Sequence, residues 1–355
     1  MAFGSFVNAG PMKTQSSPRL SICIATMNRA DVIGETLESI TSQARENVEI
    51  IILDGASTDD TPKVVDGFRQ RLPELKYIRE SANGGVDKDY DRAVQAATGE
   101  YCWLMSDDDL LAPDALSTVL SAIERDFSLI IVNADIRTRD MSKIIETRRL
   151  AFDGDRIYQP HQFDEFFADA AAYMSFIGCV VIRRSIWLQR ERERYFGSLF
   201  IHMGVIFQTP LPSPILIISR PLIAIRYGNA VWKPKEFEIW MFKWPNLVWS
   251  FECLSPSARQ AVIQQEPWRK LKTLFYYRAK GTYSLVEYRK WIKPRVTSMI
   301  DRFGVRSIAL IPGFIANLLA LLYCLRPDLN SNMMRIDLEK SRYYFGNWFN
   351  GRKKG

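Results

Sequence analysis

The sequence is poor in the residues that build common metal and redox centres. It has 2 His and 5 Cys in 355 residues, and no two Cys form a CxxC pair. This composition argues against a zinc site, and the scattered thiols are typical of reduced core cysteines in a cytosolic compartment. The chain also lacks GxxxxGK and GxGxxG sequences, so phosphate would be held by a metal ion and side chains rather than by a glycine-rich loop.

The N-terminus has no apolar run of the kind found in signal peptides, so we expect residues 1–18 to be a flexible tail. The composition is otherwise globular, with 47% hydrophobic and 25% charged residues. The net charge of +7 conceals an uneven distribution, because residues 226–355 carry 23 Lys+Arg against 9 Asp+Glu. We therefore predict an acidic domain over 19–226 and a basic helical region over 227–355.

Short apolar runs alternate with helical patterns in the first part of the chain. Runs typical of buried strands lie at residues 20–26, 48–53, 101–105, 129–132, 179–182 and 215–218, and a weaker strand pattern lies at 75–79. Apolar residues recur at helical spacing over 32–40 and 116–123. This order predicts an α/β fold with a mostly parallel sheet between two layers of helices. In such sheets, ligands bind beyond the carboxyl ends of the strands.

Polar residues follow three of the predicted strands at these carboxyl ends. They are Thr26, Asn28 and Arg29 after the first strand, Asp54 and Ser57 after the second, and Asp107, Asp108 and Asp109 after the fourth. Three adjacent carboxylates repel one another, and Mg²⁺ or Mn²⁺ bound together with phosphate oxygens would stabilise them. The alternative for both acidic loops is a turn with helix-capping residues, because carboxylates also favour helix N-termini.

The order of these motifs resembles that of family 2 glycosyltransferases with the GT-A (Rossmann-like) fold. The resemblance rests on SICIATMNR at 21–29, EIIILDGASTDDT at 49–61 and AVQAATGEYCWLMSDDD at 93–109. Residues 84–109 further resemble abequosyltransferase-like members, which act on bacterial O-antigen intermediates. The resemblance implies metal-dependent, inverting transfer of a hexose or dideoxyhexose from a CDP-, UDP- or GDP-linked donor to a polyprenyl-diphosphate-linked saccharide.

The resemblance also assigns roles to individual residues. The nucleotide-sugar site would consist of Thr26, Asn28, Arg29, Asp54, Ser57 and Asp107. Asp108 and Asp109 would hold Mn²⁺ or Mg²⁺, with Asp108 as the direct ligand. The family has a second acid where this sequence has Gly55, so contact with the nucleoside would rest on Asp54 alone.

The expected carboxylate base is not evident in the later part of the predicted domain. His202 lies near its expected place, and an imidazole with a pKa near 6.5 suits deprotonation of a sugar hydroxyl. The alternative is a histidine held inside an apolar segment. Asp87 and Asp91 share one helix face and could contact donor sugar or acceptor, but the electrostatics of a helix start explain them equally well.

The basic region contains two apolar features. Phe237, Trp240, Met241, Trp244 and Val248 recur at helical spacing, which predicts either a helix at the level of lipid headgroups or an aromatic core helix. Residues 308–325 are uncharged and reach the lower length limit of a membrane span, but with Pro312, Gly313 and Asn317 inside the segment a re-entrant or in-plane helix fits equally well. A buried core helix is the third alternative.

Together these features predict a peripheral or monotopic protein on the cytoplasmic face of the bacterial inner membrane, bound to anionic lipid. No nucleic acid partner is expected, because the positive charge lies away from the acidic site. Two alternatives compete with glycosyl transfer. A nucleotidyltransferase would carry a glycine-rich basic loop where this chain has TMNRAD, and an inactive glycan- or lipid-binding module would not need the three intact aspartates.

Overall fold

The computed structural model describes residues 18–43, 47–229, 233–326 and 332–347, so nearly all of the predicted tail at 1–18 lies outside the described residues. The strands are β1 (Leu20–Thr26), β2 (Val48–Asp54), β3 (Leu75–Arg79), β4 (Tyr101–Met105), β5 (Leu110–Leu111), β6 (Leu129–Arg137), β7 (Ile144–Glu146), β8 (Arg156–Tyr158), β9 (Val180–Arg183) and β10 (Ile215–Arg226). The α-helices are α1 (Ile33–Thr41), α2 (Thr61–Asp66), α3 (Val86–Ala96), α4 (Ala115–Ile123), α5 (Phe163–Met174), α6 (Arg184–Gln189), α7 (Ile201–Phe207), α8 (Glu236–Glu238), α9 (Trp244–Trp249), α10 (Pro256–Val262), α11 (Leu271–Lys280), α12 (Leu285–Glu287), α13 (Met299–Leu310), α14 (Gly313–Cys324) and α15 (Asn332–Glu339).

The strands form one mixed sheet in the order β3-β2-β1-β4-β9-β6-β10-β5, with β7 added beside β6 and β8 beside β10. Strands β3, β2, β1 and β4 are parallel, but β9 runs antiparallel to both of its neighbours, β4 and β6. The expected mostly parallel sheet is therefore corrected to a mixed one. Apolar runs do not encode strand direction, which depends on the end of the sheet to which the preceding connection delivers the chain.

The centre of the sheet explains where the predicted site residues meet. Every residue of β1, β2 and β4 is buried, as expected for apolar strands covered on both faces. In the parallel register Thr26 pairs with Asp54, and Ile24 pairs with Met105 at the end of β4. The loops after these three strands therefore leave the same edge of the sheet side by side.

Strand β10 is longer than the predicted run at 215–218. Its register with β6 shifts between Ile218 and Pro221 and again between Pro221 and Ile223. Pro221 has no N–H to donate to the ladder, so the strand is irregular there and then resumes to Arg226. This continuation delivers Arg226 to the edge of the sheet that carries the acidic loop.

The aromatic segment of the basic region is a core element, which is the second of the two predicted alternatives and excludes a helix at headgroup level. Phe237, Met241, Trp244 and Val248 are all buried. Phe237 stacks on Tyr283, with ring centroids 5.0 Å apart. A π-helical segment, Ile239–Lys243, precedes α9 and places Pro245 in the first turn of that helix. The segment is helical, as the spacing predicts, but its apolar side chains pack in the protein interior.

The uncharged segment 308–325 is divided between two helices. No helix in the described parts of the chain is by itself long and apolar enough to cross a membrane. Helices α13 and α14 meet that criterion only as a pair, and they are bent by 93° at the break between them. One face of α14 packs on α11 and α15, where Asn317 Nδ2 donates to the carbonyl oxygens of Ala279 at 3.2 Å and Leu338 at 2.9 Å.

Candidate functional site

The acidic loop after β4 faces an arginine from the loop after β1. Arg29 Nε lies 3.3 Å from Asp107 Oδ1, and Arg29 Nη2 lies 3.5 Å from Asp108 Oδ2. Asn229, three residues after β10, donates through Nδ2 to the same Asp108 oxygen at 3.1 Å. The structure thus brings together the predicted residues Arg29, Asp107 and Asp108 around one cationic group.

Asp109 is turned toward β10. Its Oδ1 accepts the Arg226 N–H at 2.7 Å, and Arg226 Nε donates to the Asp108 carbonyl oxygen at 2.8 Å. Burial, followed by the neighbouring Asp108 carboxylate, raises the pKa of Asp109. Burial also raises the pKa of Asp107, against the opposing effect of Arg29. Sequence reasoning missed Arg226, because nothing in the chain marks its partnership with a loop 117 residues earlier.

The carboxylates of the acidic loop are the candidate ligands for a divalent ion. Within the described ranges, no group of three His, Cys, Asp or Glu is arranged around a common metal position. Asp107 and Asp108 nevertheless converge on one cation, the Arg29 guanidinium, and Mg²⁺ commonly uses one or two carboxylates together with phosphate oxygens. These two residues fit such an ion. Asp109 fits less well than predicted, because it is buried and one of its oxygens is engaged by Arg226.

The loops after β1 and β2 are fastened to each other by the predicted nucleotide-site residues. Asn28 N–H donates to Ser57 Oγ at 2.8 Å, and Asn28 Oδ1 accepts the Thr58 N–H at 2.7 Å. Asp54 is fully buried, with Oδ1 accepting the Ser57 N–H at 2.7 Å and Oδ2 accepting the Tyr77 hydroxyl. Both oxygens of Asp54 therefore hold the loop in place. Sequence reasoning did not anticipate Tyr77, which reaches Asp54 from the adjacent strand β3.

His202 does not reach a cleft, which corrects its expected role as base. It is 1% exposed, and its Nε2 lies 2.7 Å from the Met174 carbonyl oxygen. Burial lowers its pKa to about 4, against the opposing effect of that carbonyl. A general base must contact the hydroxyl that it deprotonates. The geometry therefore favours the alternative, a histidine held inside the apolar core.

Asp87 is buried and saturated by backbone donors. Its Oδ2 accepts the N–H groups of Gly197 at 2.8 Å and Leu199 at 2.9 Å, and its Oδ1 accepts that of Ile201 at 3.1 Å. Asp87 therefore ties the first turn of α3 to the start of α7. This positioning role replaces the expected contact with sugar.

Asp91 is likewise occupied by protein groups. Its Oδ1 accepts Trp187 Nε1 at 2.9 Å and pairs with Arg192 Nε at 2.9 Å, while its Oδ2 accepts Gln95 Nε2 at 2.7 Å. A carboxylate with this many partners is a structural link between α3 and α6. The expectation that Asp91 contacts substrate is corrected accordingly.

The fold defines an α/β protein of the GT-A-like class, with an acidic loop at the edge where β1, β2 and β4 end. Residues 21–189 match the family described as Glycosyl transferase family 2. Residues 21–189 therefore form a domain of this family, and similarity to named glycosyltransferases supports a transferase enzyme.

Curated relatives share parts of the chain. Abequosyltransferase RfbV of Salmonella typhimurium is 27% identical over 230 residues, which is 61% of this chain and 69% of that protein. A Campylobacter jejuni protein, GalNAc(5)-diNAcBac-PP-undecaprenol beta-1,3-glucosyltransferase, is 28% identical over 140 residues, or 39% of this chain and 45% of the relative. The second alignment thus spans less than half of the relative's length.

Solved structures share the fold over most of the chain. Staphylococcus aureus TarS 1–349 in complex with UDP superposes with a TM-score of 0.55 at 15% identity, covering 95% of this chain and 92% of that one. Mannosyltransferase PcManGT from Pyrobaculum calidifontis, in complex with GDP-Man and Mn²⁺, gives a TM-score of 0.52 at 16% identity, covering 91% and 85%. At this identity the likeness establishes the GT-A-like fold.

Proposed function

We propose that the protein transfers a hexose or dideoxyhexose from a nucleoside diphosphate sugar to a lipid-linked saccharide during synthesis of a bacterial surface polysaccharide. The observation that carries the proposal is the convergence of Asp107 and Asp108 on Arg29, at the edge where β1, β2 and β4 end. Similarity to an abequosyltransferase, and to a glucosyltransferase whose name specifies an undecaprenol-linked saccharide, supports the donor and acceptor classes.

In the proposed reaction, the acceptor hydroxyl oxygen bonds to the anomeric carbon as the bond from that carbon to the diphosphate oxygen breaks. The hydroxyl proton passes to a base, and the configuration is inverted. A divalent ion held by Asp108 and Asp107 would neutralise the charge of the leaving diphosphate. Arg29 lies between the same carboxylates and presents guanidinium N–H groups, which suit phosphate oxygens.

The proposed metal role is tested by the substitution Asp108→Asn. Transfer from CDP-, UDP- and GDP-linked sugars is measured for the full chain with Mn²⁺ and with a chelator. We expect the variant to lose at least about 100-fold in transfer, since a ligand of a charge-neutralising ion supplies several kcal/mol. Asp60→Asn is the matched control, because Asp60 is exposed and its side chain does not cap α2. Metal-stimulated transfer at the wild-type rate in Asp108→Asn would exclude the role.

We further propose that α13 and α14 dock on the anionic, cytoplasmic surface of the bacterial inner membrane. Among the described residues, 17 large apolar side chains are exposed, and ten of these lie in this pair of helices and its end. They form the apolar surface, namely Met299, Ile300, Phe303, Leu310, Phe314, Ile315, Leu318, Leu319, Leu322 and Leu325. Apolar surface concentrated in this way marks an interaction site.

The charges around the apolar surface select its partner. Lys293, Arg302, Arg306 and Arg326 are exposed on or beside the same helices, and cations at this position suit lipid phosphates. Because the opposite face of α14 packs on α11, an in-plane arrangement fits better than a span. The partner that fits this surface is therefore a membrane of anionic lipid.

The membrane proposal is tested by flotation of the full chain with vesicles of phosphatidylglycerol or phosphatidylcholine. We expect binding to the anionic vesicles, and loss of that binding when Phe303 and Leu318 are both changed to Ser. Val286→Ser is the control, because Val286 is 66% exposed outside the apolar surface. Equal flotation of the double variant and the wild type would refute the assignment. A stable dimer that the double variant abolishes would instead make a second copy the occupant.

A further inference from the structure

Folding leaves one buried carboxylate of α3 without a partner. Asp89 is 5% exposed, and no donor in the described part of the chain makes a hydrogen bond or ion pair to its side chain. The two other acids on this helix, Asp87 and Asp91, are both saturated. A buried anion without a donor destabilises the folded state, so its environment is suited to a donor that comes from outside the protein.

The Asp89 carboxylate lies where the side chain of residue 55 would be. A Cβ atom built on Gly55 would lie 2.9 Å from Asp89 Oδ2 and 3.7 Å from the Thr26 carbonyl oxygen. Gly55 directly follows Asp54 at the end of β2, and it is the position at which the resemblance leads one to expect a second acid. Asp89, which lies in α3, therefore places a carboxylate beside the position at which the loop after β2 has a glycine instead of an acid.

The groups around Gly55 differ in what they can still accept or donate. Asp54 uses both oxygens within the protein, on the Ser57 N–H and the Tyr77 hydroxyl. The Thr26 hydroxyl is enclosed by protein atoms and lies beside Asp107, whose pKa it acts to lower. Of these three side chains, Asp89 is the one that has no hydrogen-bond or ion-pair partner in the described part of the chain. Burial, followed by the charge of Glu80, raises the pKa of Asp89 to about 6, as expected for a carboxylate that has no donor.

We propose that Asp89 determines nucleotide specificity by accepting hydrogen bonds from the nucleoside of the donor, in place of the acid missing at Gly55. The ligand group is a base N–H or a ribose hydroxyl, both of which a carboxylate accepts. The inference rests on the proposed function, because it assumes a nucleoside diphosphate sugar as donor. It shifts the reading of the nucleoside from Asp54, which fastens the loop, to Asp89.

The assignment is tested by calorimetric titration of the full chain with CDP, UDP and GDP in the presence of Mn²⁺. For the preferred nucleotide, Asp89→Asn should bind about 10- to 100-fold more weakly, the range for a lost hydrogen bond to a charged group. Asp60→Asn, the same chemical change at an exposed position on the neighbouring loop, should stay within about twofold. Thermal unfolding of Asp89→Asn should match or exceed the wild type, which separates lost binding from misfolding.

The 2′-deoxy form of the preferred nucleotide distinguishes the two sources of the donor group. With a ribose contact, the deoxy form binds the wild type as weakly as the parent nucleotide binds Asp89→Asn. With a base contact, the deoxy form binds the wild type normally, and Asp89→Asn changes the ranking of the three bases. Either pattern supports the proposal and names the group that is read.

Relocation of the carboxylate gives a second, independent test. Gly55→Asp alone should weaken binding, because its Cβ would lie 2.9 Å from Asp89 Oδ2. In an Asp89→Ala background the same substitution should restore binding to within about tenfold of the wild type, the scale of a single misplaced hydrogen bond. Equal affinity of wild type and Asp89→Asn would overturn the assignment and leave the donor class intact. Failure of the wild type to bind any of the three nucleotides would overturn the proposed function, and the assignment with it.

Discussion

Substitution of Glu49 is the change whose effect on stability the structure defines most closely. It lies in β2 at the end of the sheet opposite to the acidic loop, and its side chain is 1% exposed. Its Oε1 accepts hydrogen bonds from the Ser21 hydroxyl at 2.6 Å, the Thr98 hydroxyl at 2.9 Å and the Gly99 N–H at 3.0 Å. Its Oε2 forms an ion pair with Lys76 Nζ at 2.7 Å. One carboxylate therefore joins β1, β2, β3 and the turn into β4.

The magnitude follows from the pKa of this carboxyl group. Burial alone would raise it, but the hydrogen bonds from Lys76, Ser21 and Thr98 outweigh burial and lower the pKa of Glu49 from 4.5 to about 2. That difference corresponds to at most about 3 kcal/mol of stability, and to nearer 2 kcal/mol because the partner Lys76 is half exposed and screened by solvent. Since the folded-state pKa is depressed, this stability is present above pH 4.5. It is lost as the pH falls from there toward 2.

The assay is urea unfolding of wild type and Glu49→Gln between pH 7 and pH 3. We expect the wild type to be more stable by about 2 to 3 kcal/mol at pH 7, and most of this advantage to disappear by pH 3. Glu38→Gln is the matched control, because Glu38 forms an exposed ion pair with Arg71 and its removal should leave the unfolding midpoint nearly unchanged. An advantage over Glu49→Gln that does not vary with pH would refute the reasoning, because it would show that ionisation of Glu49 plays no part.

Two further predictions concern residues that the structure removes from the catalytic set. Asp87→Ala should lower the unfolding midpoint by several degrees and raise proteolysis between Gly197 and Ile201, because three backbone N–H groups lose their acceptor. Asp87→Asn should retain part of the wild-type stability, since its amide oxygen can still accept a hydrogen bond. Midpoints and limited proteolysis measure this, and an unchanged pattern in Asp87→Ala would contradict it. His202→Gln can still donate to the Met174 carbonyl, so we expect transfer within about tenfold of the wild type. A loss of 100-fold or more in steady-state transfer, with the fold intact, would restore His202 as a general base.

The elements of the sheet were predictable where local pattern decides them. The strands at 20–26, 75–79 and 101–105 agree with the predicted ranges. The first and the last of these are buried on both faces, which leaves a continuous apolar signature. The direction of β9 and the continuation of β10 beyond Pro221 were missed. Both are decided by tertiary pairing rather than by composition.

The site was predictable as a location, but the roles of its members were not. The residues after β1, β2 and β4 meet as expected, since parallel strands bring their carboxyl ends to one edge. A sequence does not show, however, whether a carboxylate will be filled by protein donors, as Asp87 and Asp91 are, or left open, as Asp89 is. The one available signal for Asp89 was Gly55, a missing acid for which a neighbouring element compensates.

The uneven charge of the chain has a structural counterpart at the junction of its two parts. Arg226 binds Asp109 and the Asp108 carbonyl, and the hydroxyl of the next residue, Tyr227, donates to Asp337 Oδ1 in α15 at 2.9 Å. Asp337 Oδ2 in turn accepts Lys280 Nζ at 2.9 Å, from the helix α11 on which α14 packs. Few acids occur in the basic region, and this one is used to fasten it to the sheet. The apolar surface of α13 and α14 is thereby held in a fixed relation to the acidic loop. The proposed transfer to a lipid-linked acceptor would use such an arrangement, because the height of the sugar above the membrane must match the height of the site.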